Sequence, residues 1–339
     1  MIVVEDVASD VGADRKMPPG VVVDGPLVEA KFRDSYIAFG LMVGGSIAAL
    51  VWAFWQGIGW VEVSVFAFTF IMSTIGIGFM HRYFVHRSFR CGPVMRTILA
   101  AIATMAVQGS VLKWVSNHRR HHLHSDKPGD VHSPYYDGAG EPHVSFYKGM
   151  MHAQGGWVWD HETTDGEHYA KDILADPIAM FFTRTRWYWY ALSAVIIPGA
   201  IGYAFGGVHT MIGCILFAGL FRSYLMTMAT SLVNSVCHSD GRYGYRRFET
   251  PDGTTNELVT TILTFGEGLH NNHHRFPRDA YLSHAWYEID INGLIILGLG
   301  KLGLVHDIFV PSRASGAGAV ASPALVDGGA EDLGQSGAR

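Results

Sequence analysis

Residues 63–86 read VSVFAFTFIMSTIGIGFMHRYFVH. The stretch begins with eighteen residues that carry no charge, Val63–Met80, and it then passes directly into His81 and His86. A helix needs about 20 apolar residues to cross the hydrocarbon core of a bilayer. The pattern therefore predicts a membrane-spanning helix, only slightly short of a full crossing, with two histidines at its end.

The composition of the whole chain also favours a membrane location. Of the 339 residues, 49% are hydrophobic and 16% are charged, whereas soluble domains carry about a quarter charged residues. The net charge is -5 and no basic block is present, so nothing indicates nucleic-acid binding. The three cysteines, Cys91, Cys214 and Cys237, match neither a disulfide framework nor a CxxC metal site. We interpret them as reduced thiols.

Three more apolar runs have the length of a membrane span. Ser35–Gln56 precedes the quoted stretch, and Trp187–Gly206 and Met211–Val236 follow it. Short glycine-containing turns join the four runs in pairs. The sequence thus predicts an all-α membrane protein with four transmembrane helices in two hairpins. Arg222 interrupts the fourth run, and we expect it to face the protein interior or to snorkel to the surface.

Two shorter apolar segments do not fit a full crossing. Thr97–Leu112 is closely bracketed by basic residues and is predicted to form a re-entrant or interface-lying helix. Ile291–Val310 fits either a helix along the membrane surface or a buried helix of the soluble part.

The basic residues predict the orientation. Neither hairpin turn (57–62 and 207–210) contains Lys or Arg, so the positive-inside rule places both termini and the large polar segments in the cytoplasm. No cleavable signal is recognisable, and insertion is expected to depend on the internal spans. We divide the chain into an N-terminal cytoplasmic segment (1–34), a membrane domain (35–310) and a tail (311–339). The Gly/Ala/Ser-rich composition of the tail predicts disorder.

Half of the eighteen histidines fall into four clusters. These are HRYFVH at 81–86, HRRHH at 118–122, NSVCH at 234–238 and HNNHH at 270–274. All four follow or lie between the predicted spans on the cytoplasmic side, where they would form a cap. The other histidines, His132 among them, are interpreted as ordinary surface or hydrogen-bonded side chains.

The spacing within the clusters indicates metal binding. Residues three and four apart share a helix face, so each HxxHH box can direct three imidazoles to one point, and Asn234 lies one turn before His238. His81 and His86 are about 140° apart on a straight helix and can reach one site only beside a helix end. Two HxxHH boxes in one chain of this length are not expected by chance.

The ligand set bears on the identity and number of the ions. Nine imidazoles and one amide are too many for one ion and suffice for two, and imidazoles suit zinc, copper or iron. The boxes contain no Glu-x-x-His di-iron motif and no HExxH zinc motif. Asp126, Asp130 and Asp240 follow the boxes closely, and they either orient ligand imidazoles or are solvated loop residues.

These motifs resemble the membrane fatty-acid desaturases, in particular the delta-9 branch that includes stearoyl-CoA desaturase and the bacterial acyl-lipid enzymes. The resemblance covers about residues 63–308. The segments that carry it are HRYFVHRSF at 81, QGSVLKWVSNHRRHHLHSD at 108, NSVCHSDG at 234, GEGLHNNHHRFPRD at 266 and EIDINGLIILGLGKLGLVHDI at 288.

The resemblance implies an O2-dependent enzyme that introduces a cis double bond, at the delta-9 position, into a saturated fatty-acyl chain. It also implies two iron ions and a bacterial-type cell membrane as the location. By motif position the metal ligands are His81, His86, His118, His121, His122, His238, His270, His273 and His274, with Asn234 supporting through a water molecule.

Family members hold the acyl chain in a bent tunnel. The resemblance places Trp114 and Thr230, each one turn before a metal box, at the bend. Thr69 and Ser73 match positions that close the tunnel floor, and their small size implies room for long chains unless another helix supplies the floor. The alternatives are an interfacial anchor for Trp114 and a lipid- or helix-facing position for the other three residues.

Some features depart from the animal acyl-CoA enzymes. Ser116-Asn117 stands in place of Arg-Asp before the second box, and Val158-Trp159-Asp160 stands in place of basic residues after Gly156-Trp157. The carrier of the acyl substrate therefore stays open among acyl-CoA, an acyl-lipid and an acyl carrier protein. Leu269 also replaces a tryptophan that is common in the family.

The sequence leaves a redox partner and two rival activities to consider. It contains no haem, iron–sulfur, flavin or nicotinamide motif, so a cytochrome b5-, ferredoxin- or flavodoxin-type electron donor is expected. A related histidine-box hydroxylase of alkyl or lipid chains is the nearest alternative, because one metal environment can perform either reaction. A zinc-dependent membrane hydrolase is the alternative without redox chemistry.

Overall fold

The computed structural model describes residues 17–310. The predicted disordered tail and most of the N-terminal segment lie outside the described residues. Within them the chain is mostly helical, with the helices α1 (Pro26–Gln56), α2 (Trp60–Val85), α3 (Pro93–Met105), α4 (Val111–His124), α5 (Phe146–Gln154), α6 (Gly166–Tyr169), α7 (Lys171–Leu174), α8 (Pro177–His238), α9 (Leu258–Leu263), α10 (His270–Arg275) and α11 (Ile291–Lys301). A 3-10 turn covers Gly156–Trp159, and β1 (Val21–Val22) pairs antiparallel with β2 (Thr163–Thr164).

By length and composition, three helices of the described chain could cross a membrane: α1, α2 and α8. Large apolar side chains project outward from α1 and α2, and Phe54 and Trp60 are 83% and 85% exposed. Such exposure suits a lipid environment and would be costly in water. The tight turn between α1 and α2 includes Gly57 at a φ of 77°, where a glycine avoids the steric cost of the left-handed region.

Helix α8 is broken at Gly206 and Gly207, whose backbone is not helical. The arms on either side, 177–206 and 208–238, fold back on each other. A Cβ added to Gly219 would lie 1.8 Å from the carbonyl oxygen of Ala194, so only glycine permits this approach. The reversal falls at the predicted turn.

Three predicted boundaries need correction. Helix α1 begins at Pro26 rather than Ser35, because its first turns are polar and do not read as a membrane span. The Thr97–Leu112 segment is not one helix, since α3 ends at Met105 and Val107 adopts a positive φ of 61° before α4 begins. Helix α11 stops at Lys301 and buries only one side, which includes Ile296.

A buried ion cluster fixes the end of α2 against the start of α11. Both Nη atoms of Arg82 donate to the carboxylate of Asp290 at 2.8 Å, and Nη2 also donates to Glu267 at 3.0 Å. Two parallel bonds from a guanidinium to a carboxylate define orientation as well as distance. The histidines at the end of α2 are therefore held in a fixed position relative to the segment before α10.

Lys31 fastens α1 to the segment that leads into β2. Its buried Nζ donates to the carbonyl oxygens of Trp157, Asp160 and Glu162 at 3.3, 2.7 and 2.7 Å. Three acceptors satisfy all three protons of an ammonium group. The contact holds residues 157–162 against the first turns of α1.

Replacing Lys31 with Met is expected to lower the free energy of unfolding by about 2–3 kcal/mol, because charged hydrogen bonds are lost and buried carbonyls remain unpaired. Thermal unfolding of the detergent-purified protein measures this. Lys148→Met, at an exposed lysine, is the control, and equal melting temperatures for the two variants would contradict the role of Lys31.

Candidate metal centre

The structure brings the clustered histidines together from four helix ends. His81 lies in the last turn of α2, with His86 directly after it; His118, His121 and His122 lie on α4; His238 closes α8; and His270, His273 and His274 lie on α10. All except His118, His122 and His274 are fully buried, and these three are partly buried. The convergence joins positions up to 193 residues apart in the chain.

A π turn at the end of α2 brings His81 and His86 to the same side of the chain. Met80–Val85 is π-helical, and the amide of His86 donates to the carbonyl of His81 at 3.2 Å. Because such a turn closes between residues five apart, it brings the two rings to 4.8 Å between centroids. A straight helix would have separated them.

The imidazoles form two groups. The first histidine group consists of His81, His86, His118, His122 and His273, and the second consists of His121, His238, His270 and His274. Within each group the candidate ligand atoms all lie within 4.8 Å of one another. The groups adjoin, since the rings of His122 and His274 stack at 4.5 Å. Helix α4 divides its histidines between the two groups.

Four carboxylates set the orientation of four rings through Nδ1. The pairs are His81 with Glu267 at 2.5 Å, His121 with Asp130 at 2.8 Å, His238 with Asp126 at 2.9 Å and His274 with Asp252 at 2.7 Å. In each pair the carboxylate accepts from Nδ1, and in a neutral ring Nε2 then carries the lone pair. Carboxylates in this position typically orient metal-binding histidines and make them more basic.

The Nε2 atoms of oriented rings face one another. His121 and His274 both donate from Nδ1, and their Nε2 atoms are 3.3 Å apart. Two lone pairs at this distance repel unless a cation lies between or beside them. His86 also favours a bound cation, because neither of its buried ring nitrogens has a hydrogen-bond partner. The residues present therefore fit a bound metal in each group.

The protonation state also suits metal binding. Burial and the neighbouring imidazoles lower the pKa of several histidines of the two groups well below the ordinary value. These histidines, which lie outside the candidate membrane spans, are His86, His118, His122, His270 and His273. Burial alone would raise the pKa of Asp252, but the facing His274 outweighs it and holds that pKa well below its usual range. Neutral imidazoles with ionised carboxylates behind them are the form that binds metal.

The expectations for the acidic residues are only partly met. Asp126 and Asp130 orient ring nitrogens, as one of the two interpretations held, whereas Asp240 is exposed and lies 3.9 Å from Arg246 instead. Glu267 and Asp252 were missed. Neither follows a box, so no local spacing reveals them, although an acidic residue in the apolar stretch before His270 was a usable signal.

His132 was also missed. Its ring lies 4.3 Å from that of His121 beside Asp130, and its Nδ1 is buried without a partner. The residue lines the same cavity as His118.

A cavity of about 200 Å³ reaches the first histidine group. Trp114, Thr230, Asn234 and His118 share its wall, and the Trp114 ring stacks on His118 at 4.9 Å. The two residues that the resemblance assigned to the tunnel bend thus lie beside candidate ligands.

Thr69 and Ser73 lie elsewhere. They line a second cavity of about 110 Å³, together with Met105 and Ser193. Both side chains are buried within the protein rather than exposed to lipid.

The fold and the paired histidine groups define a class: a mostly helical protein with helices long enough to span a membrane and histidine groups that could hold metal. Comparison with known proteins defines it further. The family model described as Fatty acid desaturase matches residues 58–291. The chain therefore belongs to the fatty acid desaturase family, whose members are oxidoreductases that introduce double bonds into acyl chains and use iron.

Individual relatives differ in substrate. The chain is 35% identical over 273 residues to the hex-5-enoyl-(acyl-carrier protein) acetylenase of Moorena producens, covering 79% of this chain and 83% of that protein. It is 32% identical to the sn-1 stearoyl-lipid 9-desaturase of Anabaena variabilis, over 69% and 78% of the two chains. It is 31% identical to the icosanoyl-CoA 5-desaturase of Limnanthes douglasii, over 83% and 74%.

Replacing Asp252 with Asn is expected to weaken metal binding by about 10–100-fold, because His274 loses the anion that orients it and increases its basicity. Chelator competition on the purified protein measures the affinity. Asp240→Asn is the matched control, since that exposed residue touches no histidine of either group. Similar metal retention in both variants would show that the Asp252 contact has no such role.

Proposed function

We propose that this chain is an O2-dependent fatty-acyl desaturase that introduces a cis double bond, at the delta-9 position, into a saturated acyl chain. The observation that carries the proposal is the pair of adjoining histidine groups beside an apolar cavity. The membership of the desaturase family supports the reaction class.

The proposed metal is iron, with one ion in each histidine group. All nine candidate ligands are imidazoles, with the ionised carboxylates behind them, and Asn234 would assist from the cavity wall. Iron accepts imidazole ligands readily, and the desaturase family uses iron. Bound there, two irons would supply the oxidising chemistry that removes hydrogen from two adjacent methylenes.

The chain's own residues position the substrate. The apolar cavity wall would exclude water and hold the acyl chain, so that one part of it lies against His118. Trp114 and Thr230 would set the bend there, and with it the position of the double bond. Fixing a bond next to the reacting centre replaces a random encounter with a defined one.

The proposed topology has four spans. They are α1, α2 and the two arms of α8, which fold back at Gly206 and Gly207. Both hairpin turns lack Lys and Arg, which supports a cytoplasmic histidine cap and cytoplasmic termini. A bacterial-type cell membrane is the proposed location.

The proposed substrate is a fatty-acyl group on CoA, a lipid or an acyl carrier protein. The polar part of the cavity wall includes Lys113, Asn117 and the ion pair of Asp34 with Arg186. These groups can bind the carbonyl or an anionic part of the carrier. Relatives that act on each of the three carriers are known.

Expression in a host, with gas-chromatographic profiling of its lipids, tests the function. We expect a new monounsaturated fatty acid, which disappears with His273→Ala because the first histidine group loses a ligand. His306→Ala, at an exposed histidine, is the control and should keep the product. A hydroxylated product instead would favour the alternative hydroxylase, and an active His273→Ala variant would contradict the metal site.

Electron supply gives a further prediction. These 339 residues contain no recognisable haem, flavin, nicotinamide or iron–sulfur motif, so we propose a cytochrome b5-, ferredoxin- or flavodoxin-type donor with its reductase. The purified chain with NADPH alone should show no repeated turnover, and addition of a donor system should restore it. Full turnover without the donor would refute the requirement.

A further inference from the structure

Arg222 is a fully buried charged side chain in the apolar part of the molecule. It lies on the second arm of α8 and is 0% exposed. In the described part of the chain no carboxylate pairs with it. Charged residues inside membrane spans are expensive and are mostly retained for function. The expectation that Arg222 faces the interior is correct, but no step proposed above uses it.

Two serines from other elements hold its guanidinium. Nη1 donates to Oγ of Ser73 on α2 at 2.8 Å, and Nη2 donates to Oγ of Ser193 on the first arm of α8 at 2.9 Å. Ser193 in turn donates to the carbonyl of Met105 at 2.7 Å. The arginine therefore ties α2, α3 and both arms of α8 together at one level.

Arg222 itself lines neither cavity, but the lining changes from one cavity to the other close to its acceptor Ser193. Along the first arm of α8, Tyr190 lines the larger cavity and Ser193, one turn further, lines the smaller one. Near the end of α3, Val107 lines the larger cavity and Met105 lines the smaller one. Thr227, which lines the larger cavity, lies about 7.5 Å along the helix axis from Arg222, at 1.5 Å per residue.

We propose that Arg222, held by Ser73 and Ser193, is the stop that limits the length of the acyl chain. The inference rests on the proposed function. An acyl chain would enter the larger cavity and end before the guanidinium. The smaller cavity, lined by Thr69 and Ser73, lies beyond the stop and does not extend the tunnel.

The physical basis is the polarity of the stop. A chain that reached further would have to displace this fully buried guanidinium and break its hydrogen bonds to Ser73 and Ser193. Uncompensated burial of a charge is far more costly than the gain from one more buried methylene. The small side chains of Thr69 and Ser73 therefore do not create room for long chains, because another helix supplies the floor.

Feeding the expressing host a series of saturated fatty acids of increasing even length tests this stop. With Arg222→Ala, the desaturated fraction of acids beyond the wild-type limit should rise about tenfold or more, the discrimination that a pocket can exert per methylene. The double variant Ser73→Ala, Ser193→Ala leaves the arginine only the backbone carbonyls of Ala218 and Ser193 as acceptors, and it should shift the profile less, in the same direction. The position of the double bond should not change.

Thr74→Val is the matched control, because Thr74 is buried between α2 and α8 but bonds to Phe70 and Met226 rather than to Arg222. An unchanged length profile in both test variants, or the same shift in the control, would overturn the inference. If Arg222→Ala does not accumulate in the membrane, the serine variant decides alone. Failure of the wild type to form any double bond is a separate outcome, which would reject the proposed function itself.

Discussion

The main physical constraint on this structure is that buried imidazole nitrogens with lone pairs face one another. His121 and His274 each donate Nδ1–H to an aspartate, so in the neutral rings the Nε2 lone pairs point at each other across 3.3 Å. Only a cation makes such an arrangement favourable, and the buried carboxylates balance its charge.

Local features at the ends of the helices bring these imidazoles together. A π turn turns His86 toward His81, and α4 uses both helical spacings to serve two groups. The bidentate Arg82–Asp290 pair places Glu267 behind His81. The apolar helices leave a cavity that opens on the first histidine group. The proposed metal binding and the proposed substrate position therefore depend on the same few elements.

The sequence predicted what local spacing determines. The apolar runs, the two HxxHH boxes and their helix faces follow from residues a few positions apart, and the family resemblance based on them is confirmed by the family match. Contacts between distant residues were not predictable. Asp252 and Glu267 meet their histidines through loops without periodicity, and the π turn has no distinctive sequence pattern. The early start of α1 was hidden because Lys31 reads as a solvated residue until its three carbonyl partners are seen.

We propose that each histidine group holds one iron. Diffraction data collected on both sides of the iron absorption edge, from crystals of the purified protein, measure this directly. Two anomalous peaks per chain are expected, one among the imidazole nitrogens of the first group and one among those of the second. A single peak, or peaks that appear only at the zinc edge, would contradict it.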